Sequence, residues 1–267
     1  MSFELQITFH GDLGRFFLSP RMRGKARIFR EMREKTSVKD VIESCGIPHP
    51  EVDLIVFSTG LQKALAIDFQ WQLENSGNLD IYGFPAPRDL FPSGLRLQSR
   101  YFAHFVADGH LGKLSRNLRL LGVDTSYESH ADDKRLLEIM LAENRALLTR
   151  DRRLLMHSVV RHGFCPRSSH PEEQTHEVLQ RFGLLESPKS IAPFSRCLEC
   201  NGLLRDVDKA AVSQRLAAEP RTLQYYDRYR RCPICQRIFW AGSHFTRLAA
   251  RVARLAPIEN RSKYAHE

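Results

Sequence analysis

No stretch of the chain approaches the ~18 consecutive apolar residues a membrane-spanning helix needs. The opening Met1-Ser2-Phe3-Glu4-Leu5-Gln6-Ile7 lacks the basic-then-apolar order of a signal peptide. A cytoplasmic protein with no membrane partner is the expectation. Cysteine is sparse, six in 267 residues, and in a reducing compartment a disulfide framework is a poor account of them. Internal repeats and low-complexity tracts are absent. Acidic residues are nearly missing from one region: between Arg221 and Arg254 there are eight arginines and the single acid Asp227.

That local shortage of acid reflects a wider asymmetry. Residues 1–87 carry 10 Lys+Arg against 11 Asp+Glu, whereas residues 88–267 carry 30 against 20, so the net charge of +9 belongs to the later part. The arginine-rich stretch is interleaved with Tyr225, Tyr226, Tyr229, Phe239, Trp240 and Phe245. Arginine with aromatics is the chemistry of phosphate contact and base stacking, with a solvated basic face as the alternative.

Four of the cysteines fall as Cys197-x2-Cys200 and Cys232-x2-Cys235. Two such knuckles place four thiolates around one tetrahedral Zn²⁺, and a shell closed by four thiolates makes that zinc structural. The long spacing between the knuckles predicts an inserted helix or hairpin. Cys45 and Cys165 stand alone and read as buried and inert.

At this length two or three domains are expected. Phe3, Leu5, Ile7 and Phe9 alternate with polar residues, a strand with one buried face. Ser37 to Gly46 reads as a short helix with a Ser cap and a terminating Gly, Val52 to Phe57 and Asn78 to Tyr82 as strands. Strand, hairpin, helix and further strands over residues 1–87 suggest a ubiquitin-like β-grasp unit. The Pro-rich Pro85-Ala86-Pro87, with Pro92 beyond it, reads as a linker. Residues 100–190 alternate strand and helix, an α/β pattern. Leu111, Leu114, Leu118 and Leu121 line one helix, closed by Gly122. A zinc ribbon follows, ending in a basic helix over 246–255 with Arg247, Arg251 and Arg254 on one side.

Three aspartates sit where apolar runs stop or a helix begins. Asp108 closes Tyr101 to Ala107, Asp133 opens a helical stretch, and Asp151 closes Ala146 to Arg150. Parallel sheets place ligands beyond the carboxyl ends of their strands, and carboxylates delivered there suit Mg²⁺ or Mn²⁺. Helix N-capping is the competing reading, a common task for Asp.

Phe105-Val106-Ala107-Asp108-Gly109-His110-Leu111-Gly112-Lys113-Leu114-Ser115-Arg116-Asn117-Leu118-Arg119-Leu120-Leu121-Gly122-Val123-Asp124 resembles the opening signature of the Mut-seven C-terminal RNase family. So do Leu148-Thr149-Arg150-Asp151-Arg152 and the paired knuckles followed by Phe239-Trp240-Ala241-Gly242-Ser243-His244. Residues 1–87, with Leu13-Gly14-Arg15-Phe16-Phe17-Leu18 and Gly46-Ile47-Pro48-His49-Pro50-Glu51-Val52-Asp53, resemble the ubiquitin-like domain fused ahead of it in many bacteria. The resemblance implies an α/β protein of three parts: a β-grasp domain (1–87), a PIN-like parallel α/β nuclease domain (100–190), and a zinc ribbon with a basic helix (191–256).

It further implies a metal-dependent ribonuclease. The family's acidic positions fall on Asp108, Asp133 and Asp151, with Asp132 as a partner or substitute for Asp133. Glu138 is a weak candidate for the fourth acid of PIN nucleases. Thr149 and Ser115 are candidates to hydrogen-bond the carboxylates, and Lys113, Arg116 and Arg150 to steer phosphate. His110 is a candidate substrate contact, and His244 a neighbour of the zinc thiolates. Asn117 stands near a position where the family usually has an aromatic, which would alter substrate stacking. RNA is the expected partner, with a protein partner through residues 1–87 as a further expectation. The alternatives are a non-catalytic RNA-binding module and a sulfur carrier. The carrier is disfavoured because Tyr82-Gly83-Phe84-Pro85 runs on without a terminal Gly-Gly.

Overall fold

A computed structural model describes residues 2–17, 27–60, 63–87, 89–91, 95–186, 191–217 and 220–256. Leu18 and Pro92, named in the motifs above, lie outside them. The chain begins with β1 (Phe3–His10), β2 (Arg27–Met32), β3 (Thr36–Ser37), α1 (Val38–Ser44), β4 (Val52–Ser58), β5 (Leu65–Ile67), β6 (Gln72–Leu73) and β7 (Gly77–Gly83). It continues through β8 (His104–Ala107), α2 (Gly112–Leu120), β9 (Asp124–Tyr127), α3 (Asp133–Ala142), β10 (Ala146–Leu148), α4 (Arg152–Leu155), β11 (Gly163–Phe164) and α5 (Pro171–Arg181). Last come β12 (Arg205–Val207), α6 (Lys209–Ser213), α7 (Pro220–Tyr225), β13 (Tyr229–Arg231), β14 (Ile238–Phe239) and α8 (Phe245–Leu255).

These elements group into two compact units. One comprises Met1–Arg100 with Ala146–Cys165, the other Tyr101–Arg145 with Pro166–Glu267.

In the first unit the period-2 pattern of β1 buries Phe3, Leu5, Ile7 and Phe9 while the intervening residues face outward. Each such burial contributes roughly 1.5–3 kcal/mol. The five-stranded sheet runs β2-β1-β7-β4-β5, with β1 and β7 parallel (Ile7 opposite Leu79) and the other pairings antiparallel. A mixed sheet with its first and last long strands parallel at the centre, accompanied by one helix, is the β-grasp arrangement. The helix has the expected cap: Ser37 Oγ accepts from Asp40 N at 3.1 Å, and Gly46 ends it with a φ of 92°. The Pro-rich stretch is pinned down, since Ala86 N donates to Asp53 Oδ2 at 3.0 Å and Leu97 N to the Asp53 carbonyl at 2.8 Å. The segment from 146 to 165 is a strand, a one-turn helix and a second strand, with β10 and β11 parallel and Leu147 opposite Gly163. A Cβ on Gly163 would sit 2.7 Å from Leu155 Cδ2 and 3.1 Å from the Leu147 carbonyl oxygen, so a larger residue there would have to displace the Leu155 side chain.

In the second unit β8 and β9 pair in parallel, joined by α2. Leu111, Leu114, Leu118 and Leu121 are all buried, the stripe their spacing predicts. Gly122 ends the helix at a φ of 81°, where its N–H and that of Val123 satisfy the carbonyls of Arg119 and Leu118. Asn117 lies inside, donating to the Pro171 carbonyl (3.2 Å) and Thr175 Oγ1 (3.0 Å) and so fastening α2 to α5. It does not face a substrate, which corrects the expectation of altered stacking there. β12, β13 and β14 form a three-stranded antiparallel sheet. The insertion between the knuckles folds as α6 and α7 over a small core of Val212, Leu216 and Tyr229. Of the arginines on α8, Arg251 and Arg254 turn to Glu172 of α5, at 3.5 and 3.1 Å.

Candidate functional site

Asp108 follows the last residue of β8 and heads a tight turn, Gly109–Leu111, that leads into α2. Tyr127, at the end of β9, donates from its hydroxyl to the Gly109 carbonyl at 3.0 Å and clamps that turn. The close approach explains both glycines. A Cβ on Gly112 would lie 2.6 Å from the Tyr127 hydroxyl, and one on Gly109 2.8 Å from the Ser129 carbonyl. Asp108 is half-buried, and its Oδ1 accepts a long bond, 3.5 Å, from His110 N. His110 itself is exposed.

At the start of α3 the two neighbouring acids divide their tasks. Asp132 is the cap, its Oδ1 accepting from Arg135 N at 2.8 Å, while Asp133 occupies the first turn and is exposed. Glu138 is drawn toward Arg135 (3.7 Å), which also pairs with Glu128 at 3.0 Å. An open groove beside this turn is lined by Tyr127, Ser129, His130, Asp132, Arg135 and Glu199.

Asp151 stands beyond the carboxyl end of β10, in the other unit. Buried Thr149 accepts from Asp151 N at 2.9 Å, so its hydroxyl orders the main chain and in this contact meets the amide, not the carboxylate. Asp151 Oδ1 takes both cap bonds of α4, from Arg153 N (2.7 Å) and Leu154 N (3.2 Å). Oδ2 accepts no hydrogen bond among the described residues. Capping therefore uses one of the two carboxylate oxygens. Ser115 is buried, with no partner for its hydroxyl among the described residues, and does not reach a carboxylate.

The four cysteines do come together. Their sulfurs all lie within 4.8 Å of one another, with Cys197 Sγ 3.6 Å from Cys235 Sγ and Cys200 Sγ 3.3 Å from Cys232 Sγ. A tetrahedral zinc with Zn–S bonds of about 2.3 Å needs sulfurs about 3.8 Å apart, so the donor set fits that ion. No other group of three or more His, Cys, Asp or Glu ligand atoms is so drawn together among the described residues. The knuckles share one main-chain design. Asn201 N returns to the Cys197 carbonyl (3.0 Å) and Gln236 N to that of Cys232 (2.9 Å), and both residues take positive φ, 69° and 62°. Burial pushes the Cys197 thiol up to about 12 in the metal-free chain. Burial also raises the lone Cys45, in keeping with an inert thiol.

A polar network that sequence reasoning missed ties the first knuckle to the α/β elements. Buried Arg119 of α2 donates to the carbonyls of Thr125 (2.9 Å), Leu198 (3.2 Å) and Glu199 (2.7 Å). Burial lowers its pKa, against the charges of Cys200, Cys197, Glu199 and Asp124. Asp124 at the start of β9 receives Arg145 Nη1 (2.5 Å), Arg196 Nη2 (3.0 Å) and Asn201 Nδ2 (2.8 Å). Burial opposes its ionisation, but the hydrogen bonds from Arg145 and Asn201 and the arginine charges outweigh that and hold the carboxyl below its usual range. The one local signal was Asn201 directly after Cys200, a residue suited to a left-handed turn.

Of the proposed phosphate-steering residues, Lys113 and Arg150 are exposed, and Arg116 lies 3.8 Å from Glu199. Arg221, Arg228, Arg237 and Arg247 are exposed around the ribbon. His244 starts α8 and is exposed, outside the cysteine cluster. No helix among the described residues is long and apolar enough to cross a membrane.

Comparison with known proteins adds two findings. The family model for the Mut7-C RNAse domain matches residues 103–252, and that for Mut7-C ubiquitin matches residues 2–63. Searches of curated proteins and of solved structures gave no match. The first match spans the strand that delivers Asp108, the strand that delivers Asp151 and both knuckles, more than half of the chain: the chain belongs to the Mut7-C RNAse domain family, with a Mut7-C ubiquitin-like domain ahead of it.

Proposed function

We propose that the chain is a cytoplasmic, divalent-metal-dependent ribonuclease with a PIN-like core and a structural zinc in its ribbon. The observation that carries this reading is the family match over residues 103–252, within which Asp108 and Asp151 each stand just beyond the carboxyl end of a parallel strand. Asp108, Asp133 and Asp151 would supply the hard oxygen ligands that Mg²⁺ or Mn²⁺ takes, with Asp132 adjoining. Bound there, such an ion would acidify an attacking water and offset charge building on the phosphate. The chain's own part is to hold the carboxylates: Tyr127 clamps the Asp108 turn, Thr149 orders the Asp151 main chain, and the α4 cap fixes Asp151 Oδ1. Lys113 and Arg150 attract the backbone phosphates, with Arg116 weaker because Glu199 is near. The arginines and aromatics of the ribbon add affinity for RNA. A protein partner through residues 1–87 is a separate expectation, for which exposed Phe29 on edge strand β2 offers a contact.

The cap bonds on Asp151 and Asp132 favour a second reading, a non-catalytic RNA-binding protein in which the aspartates serve helices only. Asn caps about as well as Asp, so Asp→Asn separates the two. Purified protein is incubated with structured and unstructured RNAs in Mn²⁺, Mg²⁺ or EDTA. Asp108→Asn and Asp151→Asn should each cost on the order of 100-fold or more in cleavage, the scale of losing one preorganised electrostatic group. Asp133→Asn should cost less if Asp132 substitutes. Asp108→Asn cutting as fast as wild type, or wild type cutting nothing with either ion, ends the nuclease reading.

A further inference from the structure

Residues 146–165 hold a three-residue strand, a four-residue helix and a two-residue strand. Elements this short depend on what surrounds them, because helix nucleation is unfavourable and short strands gain little by themselves. The segment nevertheless presents Thr149, Arg150 and Asp151. Part of what holds it belongs to the ubiquitin-like fold. At its start, Arg152 donates from Nη1 to the Phe16 carbonyl at 2.8 Å, and its guanidinium lies 5.3 Å from the centre of the Phe16 ring. At its middle, the Val160 carbonyl faces His49 Nε2 at 2.5 Å, while His49 Nδ1 lies 2.7 Å from Glu43 Oε1. A carbonyl only accepts, so Nε2 carries the hydrogen. At its end, Cys165 N donates to Glu51 Oε1 at 2.7 Å.

These contacts are buried: Phe16 is 3 %, His49 6 % and Glu51 2 % exposed. Burying a carboxylate and an imidazole is costly unless each finds a partner. Here main-chain groups of 146–165 are among those partners. The three donors and acceptors come from Leu13–Phe17 and Gly46–Asp53, the two turn motifs of the ubiquitin-like region, and they grip the segment at three places along its length.

We infer that the ubiquitin-like fold works in cis, as a clamp that positions the Asp151-bearing segment. Arg152 follows Asp151 directly and opens the helix that Asp151 caps, so fixing Arg152 against Phe16 fixes the direction of the Asp151 carboxylate. Phe16, His49 and Glu51 are positioning residues, acting through the main chain of 146–165. The clamp itself stands on these contacts alone; its catalytic consequence rests on the nuclease reading of Asp151.

The test uses the full-length, zinc-loaded protein and two readouts, hydrogen exchange over 146–165 and Mn²⁺-dependent RNA cleavage. Glu51→Ala and His49→Ala should each speed exchange across 146–165 by about tenfold or more, the scale of one buried hydrogen bond to an ionised group. Both should lower kcat with KM little changed. Glu51→Gln, which keeps an acceptor oxygen, should restore both readouts, and Leu65→Ser on the far edge of the sheet should alter neither. If the alanine variants unfold the whole chain, Arg152→Leu replaces them: exchange over 150–156 should rise while β1 and β7 stay protected. Unchanged exchange over the segment in a folded variant overturns the clamp. Faster exchange with undiminished cleavage overturns its positioning role. Should wild type cut no RNA, the nuclease reading falls and exchange alone decides the clamp.

Discussion

Arg119 of α2 donates from Nη1 to the main-chain carbonyl of Glu199, between the two cysteines of the first knuckle, at 2.7 Å. The helix that starts at the Asp108 turn is thereby bonded to the loop that carries half of the cysteine cluster. The ribbon's first knuckle is thus part of the α/β unit's polar core, and loss of zinc should unsettle α2 and β9 as well as the C-terminal third.

Replacing Arg119 tests that link. Arg119→Met keeps much of the stem and removes three hydrogen bonds, leaving the buried Thr125 carbonyl without its donor while water can reach those of Leu198 and Glu199. It should cost about 1–3 kcal/mol, the scale of one orphaned buried acceptor. Thermal unfolding of zinc-loaded protein should show a lower Tm, and a chelator should strip zinc from this variant faster than from wild type. Equal Tm and equal stripping rates would detach the knuckle from α2.

Zinc content and its pH dependence follow from the thiols. Protein with Cys45 and Cys165 replaced should still carry about one zinc per chain, as a four-thiolate site requires. Cys197 is protonated in the metal-free chain, with its pKa pushed up to about 12 by burial, so zinc must displace that proton. Affinity should rise with pH, about tenfold per unit for each proton released. The sign for the metal-free fold is opposite: the native state holds the proton more tightly than the unfolded state, so stability falls as pH rises from 9.0 toward 12. A chelator-competition titration at two pH values and alkaline unfolding of the metal-free protein check the two signs.

Asp124 should dominate the acid response of the second unit. Its folded pKa is held below the ordinary value of 3.8, so it contributes stability above that pH and loses it as pH falls further. Asp124→Asn leaves Arg145 and Arg196 without their shared carboxylate; the group is part-buried, so the loss should fall below the about 3–5 kcal/mol of breaking a fully buried pair. The variant should unfold more easily at pH 7 and show a weaker dependence of stability on pH below 3.8. Urea unfolding at pH 3 and pH 7 measures both.

RNA affinity should reside in the residues that carry the positive excess. Changing exposed Arg221, Arg228, Arg237 and Arg247 to Gln should weaken binding to a single strand and flatten its salt dependence. The log–log slope should fall by about 0.7 for every phosphate these arginines neutralise. Changing Arg27, Arg30 and Arg33 of the ubiquitin-like region should leave the slope nearly unchanged. Binding to a labelled single strand at several salt concentrations reports both. The opposite ranking would put the ubiquitin-like region in the RNA site.

Much of the fold is legible wherever its cause is local. The alternation of Phe3, Leu5, Ile7 and Phe9, the leucine stripe of α2, the Ser37 cap and the C-x2-C pairs each encode a period or spacing that the backbone turns directly into geometry. Polar residues are less legible. Asn117 reads as a substrate-facing position and is buried between helices. Arg251 and Arg254 belong to a basic stripe on α8, yet both are drawn to Glu172. A charge count gives the sign of a side chain but not its partner.

The sequence by itself determined the two C-x2-C knuckles, the strand and helix pattern of residues 1–87 and the positions of Asp108 and Asp151 after their strands, because each depends on residues a few places apart. Tertiary structure alone decided that Arg119 and Asp124 go inside and that Glu51 and His49 meet 146–165. The carbonyls that Arg119 satisfies in the first knuckle lie 79 and 80 residues away, and the amide that Glu51 accepts lies 114 residues away. A buried polar group is tolerated only where such distant partners arrive, and nothing in its own neighbourhood announces them.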